Sequence, residues 1–277
     1  MQTRLARFQR SINFLLPFML LVFPGIVSAQ TEPPGDMISN PLFGVQKVLF
    51  IQVNYPDNGS VILTGDRAPV HANALAAMIE ANSYGKLKFD IDITPVLTMP
   101  QPTTFYELED RKALVKIRAD ALKIAKDAGF DISDYDREAI FTKRLWPQRA
   151  FLGIGGVNMR TVWTSLDNAA HSAHEFGHTF DWRHANFWRV TSANPLDTAG
   201  TQIQYGDKFD IMGDTRNFHH FNPWFKKRVG WLPQESILTV SESGTYIIRA
   251  LEKPPLSGSE VTEYSALRIR RDADTDY

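Results

Sequence analysis

The 277-residue sequence predicts an α+β fold, a mixed twisted sheet with a helix that carries the chemistry, followed by the start of a small β-rich module. Three observations predict it. Val45–Val53 is an apolar, β-branched run; Lys86–Ile93 alternates strictly, with Leu87, Phe89, Ile91 and Ile93 on one face; and Pro69–Ala81 and Tyr106–Ala128 carry apolar residues at helical spacing.

The elements follow in order. Arg4, Arg7 and Arg10 precede an apolar run, Ile12–Val27, that ends in Val27-Ser28-Ala29, the pattern of a signal peptide over residues 1–29. The run is short for a membrane span and is interrupted by Pro17, Pro24 and Gly25, so export to the extracellular space or periplasm is expected rather than an anchor, with no stable membrane association after cleavage. Residues 30–44 form a Pro/Gly-rich leader. The first strand, Val45–Val53, stops at the turn sequence Tyr55-Pro56-Asp57-Asn58-Gly59. A helix over Pro69–Ala81 presents Ala72, Leu75, Ala76 and Ile79, and Asn82-Ser83-Tyr84-Gly85 closes it before the alternating strand. A proline-rich connector at Pro95–Pro102 leads into the long helix, which Gly129 ends. Glu138–Leu145 and Phe151–Trp163 read as further strands, the second loosened at Gly153, Gly155 and Gly156 by a turn or bulge. Asp167-Asn168 offers an N-cap for a helix starting near Ala169, with mostly irregular sequence after it. Beyond Ser236, Ile237–Val240, Thr245–Leu251 and Ala266–Ile269 read as short strands. The expected organisation is therefore a catalytic domain over residues 45–235 and a β-rich segment over 236–277 whose pattern implies a chain cut short.

Composition narrows the chemistry. A formal net charge of -1 with scattered Lys and Arg gives no electrostatic argument for nucleic acid as a partner. With no cysteine, an exported chain must rest on its core and a metal rather than on disulfides.

Four of the seven histidines fall within His171–His184. Residues four apart share a helix face, so His174 and His178 can aim at one point, with Glu175 beside them as a general base. Catalytic zinc takes three protein ligands and leaves one position open. No glutamate stands between Glu175 and Glu235, which removes a downstream glutamate as third ligand and leaves His184, six residues after His178. To reach the metal, the chain must turn sharply at Asp181, a residue type that tolerates left-handed backbone. His171 is expected to be a supporting or solvent-facing histidine rather than a fourth ligand, and Asp207 and Asp210 to cap backbone amides rather than bind calcium. His219 and His220 read as surface residues, and Trp163, Trp182, Phe187 and Trp188 as either a specificity pocket or core.

The segment HEFGHTFDWRH, residues 174–184, resembles the elongated zinc motif of the metzincin peptidases, with Asp181 where that motif has glycine. Tyr205-Gly206-Asp207-Lys208-Phe209-Asp210-Ile211-Met212-Gly213 is similar to the methionine-turn segment of the gametolysin-like peptidases and their bacterial relatives, as are Asn82–Leu87 and Asn222–Leu232. The resemblance implies a metzincin-like zincin domain in a secreted zinc endopeptidase: Zn2+ on His174, His178 and His184, Glu175 as general base toward zinc-activated water, and Met212 as a floor under the metal. The substrate it implies is a protein or peptide, of which extracellular glycoproteins are one class. Asp181 as a metal ligand or as a partner of one, a zinc-stabilised adhesin without catalysis, and a hydrolase of non-protein substrates are the alternatives.

Overall fold

The computed structural model describes residues 42–107, 112–145, 152–157, 159–195, 197–216, 220–256 and 263–270. The signal-peptide segment, most of the leader and His219 lie outside these residues. No helix among the described residues is long and apolar enough to cross a membrane.

The chain runs through β1 (Gly44–Asn54), α1 (Arg67–Asn82), β2 (Leu87–Thr98), the short α2 (Thr103–Tyr106), α3 (Lys112–Asp127), β3 (Arg137–Phe141), β4 (Gly153–Gly155), β5 (Thr161–Thr164) and α4 (Ala169–Thr179). After α4 come β6 (Phe187–Val190), β7 (Gly200–Ile203), α5 (Pro223–Arg228), β8 (Ile237–Val240) and β9 (Ala266–Ile269). Strands β2, β1, β3, β5 and β4 form a five-stranded sheet in that order. All its neighbours are parallel except β4, which runs antiparallel to β5 at one edge. The mixed α+β class is thus as expected.

Strand β1 lies inside the sheet and is covered on both faces, so it reads as a continuous apolar run rather than an alternation. Val48 and Phe50 belong to a core shared with α1 and α4, whereas Leu49, Ile51 and Val53 belong to a second core under α3. Helix α3 buries Leu114, Ile117, Ala121 and Ala125, spaced three to four apart as an amphipathic helix requires. Strand β2 sits at the opposite edge from β4 and extends past the predicted Ile93 to Thr98, taking in Pro95. The ladder slips register there, between Phe50 and Gln52 of β1, and an edge strand tolerates proline at such an irregularity.

Three expectations need correction. Phe151–Trp163 is not one strand: β4 and β5 are separate and pair antiparallel, Ile154 opposite Trp163, because the glycine-containing link reverses the chain. The sequence after α4 is less irregular than predicted, since β6 and β7 pair as an antiparallel hairpin. In the C-terminal segment β8 pairs with β9 in parallel, but Thr245–Leu251 contributes only an isolated bridge between Ile248 and Tyr264.

Candidate metal centre

Helix α4 carries the site, and it is fixed at both ends. At its start Asn168 is the N-cap, its side-chain oxygen accepting from the backbone N–H of His171 at 3.0 Å. A chain of polar groups, running from exposed Arg67 to buried His71 and Ser172, adds to this: Arg67 Nε donates to Asp167 at 2.6 Å, His71 Nδ1 meets the same carboxylate at 3.1 Å, and His71 Nε2 meets the Ser172 hydroxyl at 2.9 Å. Ser, His and Asp stand here in the order of a hydrolytic triad, but Ser172 is 0% exposed and no substrate can reach it, so the chain docks α4 onto α1. At the other end the buried Arg137 of β3 donates to Thr179 Oγ1 at 2.5 Å and to Gln46 Oε1 at 2.7 Å.

The helix then stops as the sequence demanded. Asp181 has φ of +65°, Asp181 N–H bonds the His178 carbonyl at 3.0 Å and Trp182 N–H bonds the Gly177 carbonyl at 3.2 Å. This is a Schellman stop with aspartate at the left-handed position, and Trp182 locks it by packing into the core against Phe180, Phe221 and Trp231. The Asp181 carboxylate points outward and pairs with Arg228 at 2.8 Å, so it is neither a ligand nor a partner of one.

The turn brings His184 back over α4. One ligand atom from each of His174, His178 and His184 lies within 4.8 Å of the others, close enough for a single metal ion. Ring centroids are 4.9 Å apart for His174 and His178, 4.9 Å for His178 and His184, and 5.4 Å for His174 and His184.

The donor chemistry fits a metal. His174 Nδ1 donates to the Ile211 carbonyl at 2.8 Å and His178 Nδ1 to the Trp182 carbonyl at 2.7 Å, which fixes both tautomers and leaves each Nε2 lone pair free. His184 Nδ1 faces the side-chain amide nitrogen of Gln204 at 3.0 Å. Burial drives His174 down to about 3 and His184 down to about 4, with the charge of His178 as the second cause in each, so these imidazoles stay neutral at physiological pH.

Glu175 is 4% exposed, and burial pushes its carboxyl up to about 8 against an opposing backbone amide from Gly155. It lies beneath the edge strand β4. A Cβ at Gly155 would collide with the Glu175 carbonyl, and one at Gly153 would come within 2.8 Å of Glu175 Oε1. These glycines, expected only to loosen a strand, let the sheet edge press onto the helix.

The segment below α4 completes the setting. Met212 is fully buried against Gly177, where any side chain would strike its sulfur. Asp210 shapes that turn, accepting from Met212 N–H at 2.5 Å and Asn222 N–H at 2.6 Å, while Asp207 accepts from Phe209 N–H at 2.9 Å; both carboxylates cap backbone as expected. His220 is not a plain surface residue, because the buried Lys226 ammonium donates to its Nδ1 at 2.9 Å. The four aromatic candidates divide: Trp163 and Trp182 are core, whereas Phe187 is 51% exposed and Trp188 half-buried.

Two residues to which the sequence assigned no role at the site contribute to it. Gln204 follows β7, and the Tyr205 ring lies tilted against His184 with ring centroids 3.8 Å apart while the residue holds φ of +56°. Only the glycine after Tyr205 hints at so tight a turn. No family model matches the chain, and no curated protein is significantly similar to it.

Proposed function

We propose that the chain is a secreted zinc-dependent endopeptidase of metzincin type, with the ion on His174, His178 and His184. The observation that carries this is the joint presence of three convergent imidazoles, two from α4 and His184 from beyond its end, and a desolvated carboxylate, Glu175, on the same turn of α4 as His174 and His178. Zinc is the metal best suited to an all-imidazole set with an open position. When bound it supplies a Lewis acid that acidifies water and polarises a carbonyl.

The chain's own residues supply the remaining chemistry. Glu175 takes the proton of the attacking water and returns it to the departing amine, a transfer that a buried carboxylate with raised affinity for protons is suited to. Strand β4 has β5 on one side and no strand on the other among the described residues, so an extended peptide can add to its free edge beside Glu175. That edge favours a peptide over a small non-protein substrate.

Incubation with denatured protein or quenched peptides, with and without a chelator, tests the proposal. Cleavage that a chelator abolishes and added zinc restores is the expected result. Stoichiometric zinc binding without cleavage of any peptide would instead support an adhesin-like binding protein.

A further inference from the structure

A glutamate side chain has several rotatable bonds, and as a base it works only while its oxygens face the reacting atoms. Something must hold Glu175. His171 stands one helical turn earlier on α4, at the spacing that brings side chains together, and its Nε2 lies 3.4 Å from Glu175 Oε1. That same Nε2 is buried and has no hydrogen-bond partner among the described residues, and the ring's other polar neighbour is the Leu152 backbone. Space for the two groups to meet comes from Gly153 of β4, where a Cβ would fall 2.5 Å from His171 Nε2 and 2.8 Å from Glu175 Oε1. The carboxylate also meets the backbone amide of Gly155. His171 is not a member of the three-histidine group, although its ring lies parallel to that of His174, 6.3 Å away.

We propose that His171 is the positioning residue of Glu175: its Nε2–H donates to Oε1 and, with the Gly155 amide, holds the carboxylate turned toward the three histidines. The contact is long and poorly aligned here and tightens when substrate fills the site. Its catalytic consequence rests on Glu175 being the general base, whereas the contact itself does not.

Imidazole 15N NMR on the full chain, without metal and with zinc, tests the contact independently of turnover. The expected result is the Nε2–H tautomer at His171, with its nitrogen resonance displaced in Glu175→Gln and the other histidines little changed. An Nδ1–H tautomer in both states, leaving Nε2 bare against the carboxylate, would overturn the proposal. Kinetics then tests the consequence. His171→Phe should keep full zinc occupancy and KM within about 2-fold while kcat falls roughly 10- to 100-fold, and His171→Gln, which retains an N–H donor, should recover part of the loss. Unchanged kcat in a fully zinc-loaded His171→Phe also overturns it. If the wild-type chain cleaves nothing, the peptidase proposal fails alone, because the tautomer and its response to Glu175→Gln still decide the His171 contact.

Discussion

Glu175 neighbours His174 in sequence yet is not one of the three-histidine group, so the proposed base and the proposed ligands can be separated by substitution. Glu175→Gln should retain zinc, measured by elemental analysis, and lose turnover by about 10²- to 10⁴-fold, measured on a quenched peptide. A fully active, zinc-loaded variant would remove Glu175 from the mechanism. Asp181 poses a different question, since its φ of +65° is strained for any residue with a Cβ and its side chain is held by an exposed pair with Arg228. Exposed pairs contribute at most about 1 kcal/mol, similar to the strain that glycine would relieve. Asp181→Gly should therefore change unfolding free energy by less than about 1 kcal/mol and leave zinc affinity intact. Asp181→Val should cost about 2 kcal/mol or more and weaken zinc binding, because a β-branched residue resists the left-handed turn that delivers His184. Denaturant titration and zinc competition measure the two effects.

Between elements, the decisive contact is β4 on α4. Gly155→Ala should push the edge strand off the helix at Glu175, and a loss of at least about 2 kcal/mol of stability together with most activity is expected. Retained stability and turnover would mean that β4 can shift freely. The Arg67–Asp167–His71–Ser172 chain that docks α4 onto α1 makes a pH-dependent contribution. Arg67 beside Asp167 holds that carboxyl below its usual range, so its stabilisation is present above about pH 4 and is lost as pH falls through the lowered value. Burial lowers His71, so the unfolded chain binds its proton first and stability declines as pH drops below about 6.5. Both groups act in the same direction. Asp167→Asn should cost about 1–2 kcal/mol at pH 7 and flatten the fall in melting temperature between pH 4 and 2; an unchanged slope would show that the ion pair is not coupled to folding.

At the scale of the molecule, His174 and His178 come from α4 while His184 follows the turn at Asp181, so a metal ties the helix to the segment resting on Met212. Zinc in 1,000-fold excess over its dissociation constant adds about 4 kcal/mol to the folded state. For a chain of this size that corresponds to a rise in melting temperature of about 10 °C, reversed by a chelator and readable by calorimetry. A melting temperature indifferent to zinc would mean that the three histidines do not hold it in the folded state.

Local rules made much of this legible. Asn168 as N-cap, the i, i+4 pair His174 and His178, the left-handed turn at Asp181 and the buried run of β1 each depend on residues within a few positions of one another. Sheet order, the split of Phe151–Trp163 into an antiparallel pair, the β6–β7 hairpin, Gln204 beside His184 and the gap beneath Gly153 that lets His171 approach Glu175 did not follow from sequence. They depend on which distant backbones come together. The sequence by itself thus determined the three histidines that converge and the turn joining them, because helix periodicity and φ preference are short-range; only the tertiary structure decided what surrounds them, because strand pairing and close approach are set by long-range packing.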